Sequence, residues 1–322
     1  MATQHHRSAS TILWIITAIT VILLLTRNLL AAGVGGAVLL LAQTVLITAF
    51  ALLHGARRYG WPAILVYYVV TLVVSNLFEN LSVLTGFPFG HYHYTTGPQL
   101  FLVPLAIGPF YAAVGYMTWT IATLLVGEVR RSAGWLTTVG TPVVASFAMV
   151  VWDLAMDPTF STIQQSWVWE HSGGFFGVPL GNFLGWSLTT YTFLQLFALY
   201  LRFYGPPPAA VPEPTVASHV QPVLLYAATA GTLVMDFLTR ERTTVTDAVG
   251  QTWRTGDIYE TSVLTMIYGM GFITVLAALS LARRHTAAPA SPTDAAPMPA
   301  QLATQPAARP DAMPAGRSRG HG

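Results

Sequence analysis

Eight mostly apolar stretches divide this chain, and their lengths decide its class. They run over Thr11–Leu25, Leu29–Leu53, Trp61–Leu84, Leu100–Val126, Leu136–Met156, Val178–Phe203, Val220–Thr239 and Ile258–Ala282. Crossing the hydrocarbon core of a bilayer takes about 20 mostly apolar helical residues. The pattern therefore predicts an all-α, polytopic transmembrane bundle of about eight helices. The first stretch is short and follows His5, His6 and Arg7, as a signal peptide would. Arg27 and a second apolar run come next with no cleavage site between them, so an uncleaved first helix is expected.

Composition agrees. Charged residues form 9% of the chain and apolar ones 53%, against about 25% charged in soluble domains. All basic side chains are arginine, and they are scattered, which excludes a nucleic-acid footprint. No cysteine is present, so disulfides, thiolate nucleophiles and cysteine metal sites are excluded together. Arg7, Arg57, Arg58, Arg130, Arg131, Arg202, Arg283 and Arg284 fall on one side of the expected spans. Only Arg27, Arg240, Arg242 and Arg254 fall on the other. The excess predicts that both termini are cytoplasmic. Residues 1–284 form the expected transmembrane domain, with a Pro-rich cytoplasmic linker over 205–222. Residues 285–322, rich in Ala, Pro, Thr and Gln, are expected to be a disordered cytoplasmic tail.

The candidate chemistry lies where acids enter the apolar stretches, because an ionisable group there is costly to place. Glu79 shares a helical face with Tyr68, Ser75 and Ser82, since steps of three, four and seven return to one side. Asp153 and Asp157 stand one turn apart, with Ser146 on their stripe. Pro158 disfavours a helical Asp157, so the fifth helix is expected to end there. Asp236 lies near the end of the seventh helix with Thr229 and Thr232, and Arg240 one turn on offers it a pair. Glu260 opens the eighth. Alternating helix directions bring these acids to one side of the membrane. The loops on that side add His91, His93, His171, Tyr92, Tyr94, Trp167 and Trp169. Helix ends in the headgroup region also collect hydrated acids and aromatic belts, the plainer reading for Asp236 and Glu260. Two other classes draw on the same residues: a proton-coupled transporter using the acids as a relay, and a haem- or metal-binding membrane protein using His54, His91 and His93.

Three motifs carry a family resemblance. Glu79-Asn80-Leu81-Ser82 with Thr85-Gly86-Phe87-Pro88-Phe89-Gly90-His91-Tyr92-His93-Tyr94 is the first. Trp152-Asp153-Leu154-Ala155-Met156-Asp157-Pro158 followed by Trp167-Val168-Trp169 is the second, and Gly177-Val178-Pro179-Leu180 with Asn182-Phe183-Leu184-Gly185-Trp186 the third. In this order they resemble the CruF-type integral-membrane carotenoid hydratases over roughly Trp61 to Arg202. The resemblance implies a hydro-lyase that adds water across the terminal 1,2 double bond of an acyclic (ψ) end group, leaving a tertiary alcohol. It implies a carotenoid substrate (lycopene, γ-carotene or a C50 carotenoid), no cofactor and no metal. It also implies the bacterial plasma membrane as the setting, with other carotenoid-pathway enzymes as partners. Carried onto this chain, Asp153, Glu79 and Asp157 become the catalytic candidates, with Asp153 and Glu79 moving protons and Asp157 holding water. Phe87, Phe89, His91, Tyr92, Trp152, Trp169, Asn182 and Trp186 become the substrate-binding candidates. Aromatic faces can stabilise a carbocation by about 0.5–2 kcal/mol.

Overall fold

Apolar runs broken by single glycines fold into antiparallel rods. In this computed structural model, which describes residues 2–95, 97–207 and 214–286, α1 (Ala2–Val34) turns at Gly35 into α2 (Gly36–Tyr59). That helix turns at Gly60 into α3 (Trp61–Thr85). Next come α4 (Ile107–Leu125), α5 (Trp135–Pro158), α6 (Leu180–Tyr204) and α7 (Val216–Thr239). The last rod is α8 (Thr255–Thr265), a π-helical segment (Met266–Gly271) and α9 (Phe272–Thr286), joined without a break. Among the described residues these make eight helical rods, the all-α bundle expected. Helices α1, α2, α3, α5 and α7 and the last rod are each long and apolar enough to cross a membrane. This is a multi-pass membrane protein.

Its sidedness is that of a lipid-embedded bundle. Along α3, Leu65, Val69, Val73 and Leu77 are exposed at spacings of four, while Tyr68, Ser75, Glu79 and Ser82 are buried as their shared face predicts. Ser146, Asp153 and Asp157 are buried on α5 in the same way, and Ser146 hydrogen bonds to Thr190 of α6 at 2.7 Å. Helix α4 lies innermost, packed on α2, α3, α5 and α7, with every residue from Tyr111 to Leu124 buried.

Several expected boundaries shift. Leu29 to Val34 belong to α1, not to the second span, so Arg27 lies inside a helix. Its guanidinium meets Asp236 of α7 at 2.8 Å, which compensates the charge. Arg240 also meets Asp236, at 3.1 Å, the predicted one-turn pair. The fourth span starts at Ile107 instead of Leu100, because Gln99–Leu100 (β2) and Val103–Pro104 (β3) form a small hairpin. Asp157 stays helical despite Pro158. Helix α5 passes into a π-helical turn, Thr159–Ile163, whose wider spacing accommodates the chain, and the Ser161 hydroxyl donates to the Asp157 carbonyl at 2.9 Å. Helix α7 begins at Val216 behind a Thr215 cap, so the linker is shorter than 205–222. Part of it, 208–213, lies outside the described residues; of the tail expected over 285–322, the first two residues continue α9 to Thr286 and the rest lies outside the described residues.

At the end of the bundle away from Gly35, arginines are held by protein groups. Arg58 pairs with Glu128 and donates to Thr123 at 2.6 Å, and Arg202 stacks on the Trp135 ring at 4.1 Å.

Candidate active site

The loop and strand after α3 assemble the site. Gly86 caps that helix in the left-handed conformation, φ 79°, which its missing Cβ permits. Ser82, one turn earlier, accepts from the Phe89 amide at 3.0 Å and donates to the Gly90 carbonyl at 2.8 Å, folding the loop back over the helix end. The chain then enters β1 (Tyr92–Tyr94), which pairs antiparallel with β4 (Trp167–Trp169), Tyr92 facing Trp169 and Tyr94 facing Trp167. Successive strand residues alternate faces, so the two tyrosines point together. Both reach down to Glu79.

Glu79 is thereby enclosed by three phenols. Its Oε2 accepts from Tyr92 and from Tyr94, the latter at 2.9 Å, and its Oε1 accepts from Tyr111 of α4 at 2.7 Å. Burial, and next the neighbouring Glu79 carboxyl, pushes the Tyr92 and Tyr94 hydroxyls well above the usual phenol range. Both therefore stay protonated donors. Beside this cage the Asn182 side-chain amide, at the start of α6, donates to Asp157 at 2.6 Å and to Asp153 at 3.1 Å. One neutral amide thus joins two fully buried carboxyls. The second oxygen of Asp153 and the indole N–H of Trp169 are buried without a hydrogen-bond partner among the described residues.

These groups border a cavity of about 310 Å³. Gly97 and Pro104 at the β2–β3 hairpin, and Ile107 at the start of α4, also line it. Glu79, Asp157, Phe89, Tyr92, Trp152, Trp169, Asn182 and Trp186 all line it. Asp153 stands behind, touching the site through Asn182. Trp186 stacks on Tyr111 at 4.4 Å with an interplanar angle of 8°, and Trp152 packs on Phe110 at 5.3 Å. The close seat of Phe89 depends on Gly185: a Cβ there would meet the Phe89 ring at 2.6 Å and the Pro88 carbonyl oxygen at 2.9 Å. That contact accounts for the glycine in the third motif.

Two predicted binding residues lie elsewhere. Phe87 is half exposed and packs on Phe78, and His91 lies against Gly86 with its ring 6.4 Å from that of His171; neither lines the cavity. Both sit on the loop between α3 and β1. His54 is remote from them, bonded to Tyr116 and to the Ser218 carbonyl, each at 2.7 Å. Among the described residues no three His, Asp or Glu side chains are arranged to hold a metal ion. Glu260 is exposed. Sequence reasoning missed Tyr111 altogether, as well as the wall that α1 and α2 contribute, whereas Thr229 and Thr232 of α7, noted beside Asp236, do line the cavity.

The loops before α6 and before α8 are joined to each other. Asp247, in the turn between β5 (Thr244–Thr246) and β6 (Thr252–Arg254), accepts from Ser172 at 2.7 Å and Trp253 at 3.0 Å. Burial works to raise its pKa, but these bonds and the amides of Gln251 and Val249 outweigh it and hold the carboxyl below the usual range.

Fold and site together define a multi-pass membrane protein with a buried acidic pocket walled by aromatic rings. Comparison supplies the family: a family model described as carotenoid biosynthesis protein matches residues 34–246, more than half of the chain, and the protein belongs to that family. No curated protein and no solved structure matches it.

Proposed function

We propose that this protein is a carotenoid hydratase, a hydro-lyase that adds water across the terminal 1,2 double bond of an acyclic end group. One observation carries the reading: Glu79 and Asp157 line one aromatic-walled cavity, with Asp153 behind on the same Asn182 amide, and these carboxyls are bonded to hydroxyls and an amide instead of cations. Alkene hydration needs a carboxylic acid that can give up its proton beside apolar walls. Two carboxyls bridged by a neutral amide can hold one proton between them. Asp157 faces the cavity, so the donor role passes to it from Asp153. Asp153 becomes a positioning residue, acting through Asn182. The Asp157 proton goes to C2 as the π electrons form the new C–H bond, leaving a tertiary cation at C1. A water oxygen then bonds to C1 and returns its proton to the carboxylate left behind. Trp152, Trp169 and Trp186 offer ring faces to the cation, and Glu79 with its tyrosines orients the water.

Expression in a carotenoid-producing bacterial host, with mass analysis of the pigments, tests this. Gain of one water is expected, with solvent deuterium at C2 and the hydroxyl oxygen drawn from solvent. Oxygen arriving from molecular oxygen would reject hydration and indicate an oxygenase.

On the same reading the site lies at the outer face of a bacterial plasma membrane, both termini being cytoplasmic. The arginine excess at the opposite end supports it. A single cysteine at Thr95 is expected to react with an impermeant thiol reagent in intact cells; labelling only after membrane rupture would invert the topology.

A further inference from the structure

The cavity has a second end that hydration does not use. There it is walled by α1, α2 and α7, a different set of helices from α3 and α5, which bear Glu79 and the aspartate pair, and α6, which bears Asn182. Leu24, Leu40, Ile47 and Leu233 line that end, but so does Gln43 of α2 at 5% exposure, and its amide nitrogen has no hydrogen-bond partner among the described residues. Arg27 lines it too. One of its Nη atoms is committed to Asp236, while its buried Nε is likewise without a partner among the described residues. The hydroxyls of Thr44, Thr229 and Thr232 donate to carbonyls of their own helices at 2.7–2.9 Å, so each keeps its lone pairs for another donor.

A buried amide without a partner is destabilising, and this one shares its wall with Arg27, Thr44, Thr229 and Thr232. Two N–H donors there lack an acceptor. Arg27 shares Asp236 with Arg240, but Gln43 is neutral and its amide needs only an acceptor oxygen. An uncharged oxygen fits.

We propose that this end is a recognition subsite for an uncharged oxygen function, a hydroxyl or a ketone, carried by the substrate away from its reacting double bond. Gln43 is the principal donor. The inference rests on the hydratase reading and deepens it: the substrate is an oxygenated polyene, not a bare hydrocarbon. A hydroxyl can also donate to the threonine lone pairs, and a ketone cannot.

The test compares the full-length protein in lipid nanodiscs with Gln43→Met, which keeps chain length and helix propensity, and with Thr229→Val as a second variant. Binding is read from quenching of tryptophan fluorescence by two added carotenoids of equal length, one a hydrocarbon and one bearing a hydroxyl a few carbons from its terminal double bond. Turnover is read separately. The wild type is expected to bind the hydroxylated carotenoid at least about tenfold more tightly, and Gln43→Met is expected to remove most of that preference. Equal affinity of the wild type for both, or a preference unchanged in Gln43→Met, would overturn the proposal. A Gln43→Met protein that fails to fold passes the decision to Thr229→Val, where the preference should fall for the hydroxylated ligand. Because binding is measured without turnover, absence of any hydrated product would remove the hydratase reading and leave the subsite to be judged on its own.

Discussion

Replacing Asp157 with Asn is expected to lower hydration by at least about a hundredfold, the low end of what a positioned general acid contributes. Asn keeps the volume and can still bond Asn182, but it has no proton to give to an alkene. Carotenoid binding should survive, because the aromatic wall is untouched. Asp153→Asn is expected to cost less, since Asp153 reaches the cavity only through Asn182. The two variants therefore separate donor from positioning residue. Turnover measured on purified protein in nanodiscs, with pigment retention as the folding control, decides between them. A larger loss in Asp153→Asn would return the donor role to that residue, and near-normal rates in both would remove the pair from the chemistry.

The helical bundle was legible because each span is longer than any alternative element needs, and because one apolar face repeats at helical spacing. What misled was apolarity itself. Leu100, Leu102 and Val103 read as the start of a span, yet they form a hairpin whose Phe101 has φ 58° and whose Leu102 amide bonds the Asn80 side chain at 2.9 Å. Pro104 was the available signal, since a proline belongs in the first turn of a helix or outside it. Arg27 misled in the opposite direction. A charge looked like a span boundary, but the Asp236 that compensates it lies 209 residues later. Sequence spacing does not reveal such a partner.

The site was legible in part for the same reason. Acids at helical spacing can be read along one element, and motif and loop position bring in Tyr92 and Trp169; Glu79, Asp157, Tyr92 and Trp169 do share a wall. Tyr111 could not be read so, because it joins Glu79 only through the packing of α4 on α3. The division of labour between Asp153 and Asp157 also depends on tertiary contact, namely which of them Asn182 leaves facing the cavity. Phe87 was drawn in by its motif, whereas the fold of the loop at Gly86 turns it outward.

Replacing Glu79 with Leu is expected to damage the protein before it damages the chemistry. Three phenols donate to this one carboxyl, and all three are buried or half-buried. Leucine would leave every one of those donors without its acceptor, at about 1–3 kcal/mol each. Even if cavity water recovers part of that, a loss of about 3 kcal/mol or more is a large share of a native stability of about 5–15 kcal/mol. Glu79→Gln differs in kind. Its amide oxygen can still accept on one side, and on the other a phenol can rotate to accept from the amide hydrogen, since hydroxyls do both. A stability loss of about 1 kcal/mol is expected there, together with slower hydration because water is no longer oriented by a carboxyl. Thermal unfolding in detergent, followed by tryptophan fluorescence, should show a clearly lowered midpoint for Glu79→Leu and a small shift for Glu79→Gln. If both unfold with the wild type, the three phenols do not depend on Glu79, and the cage is not what holds β1 over the end of α3.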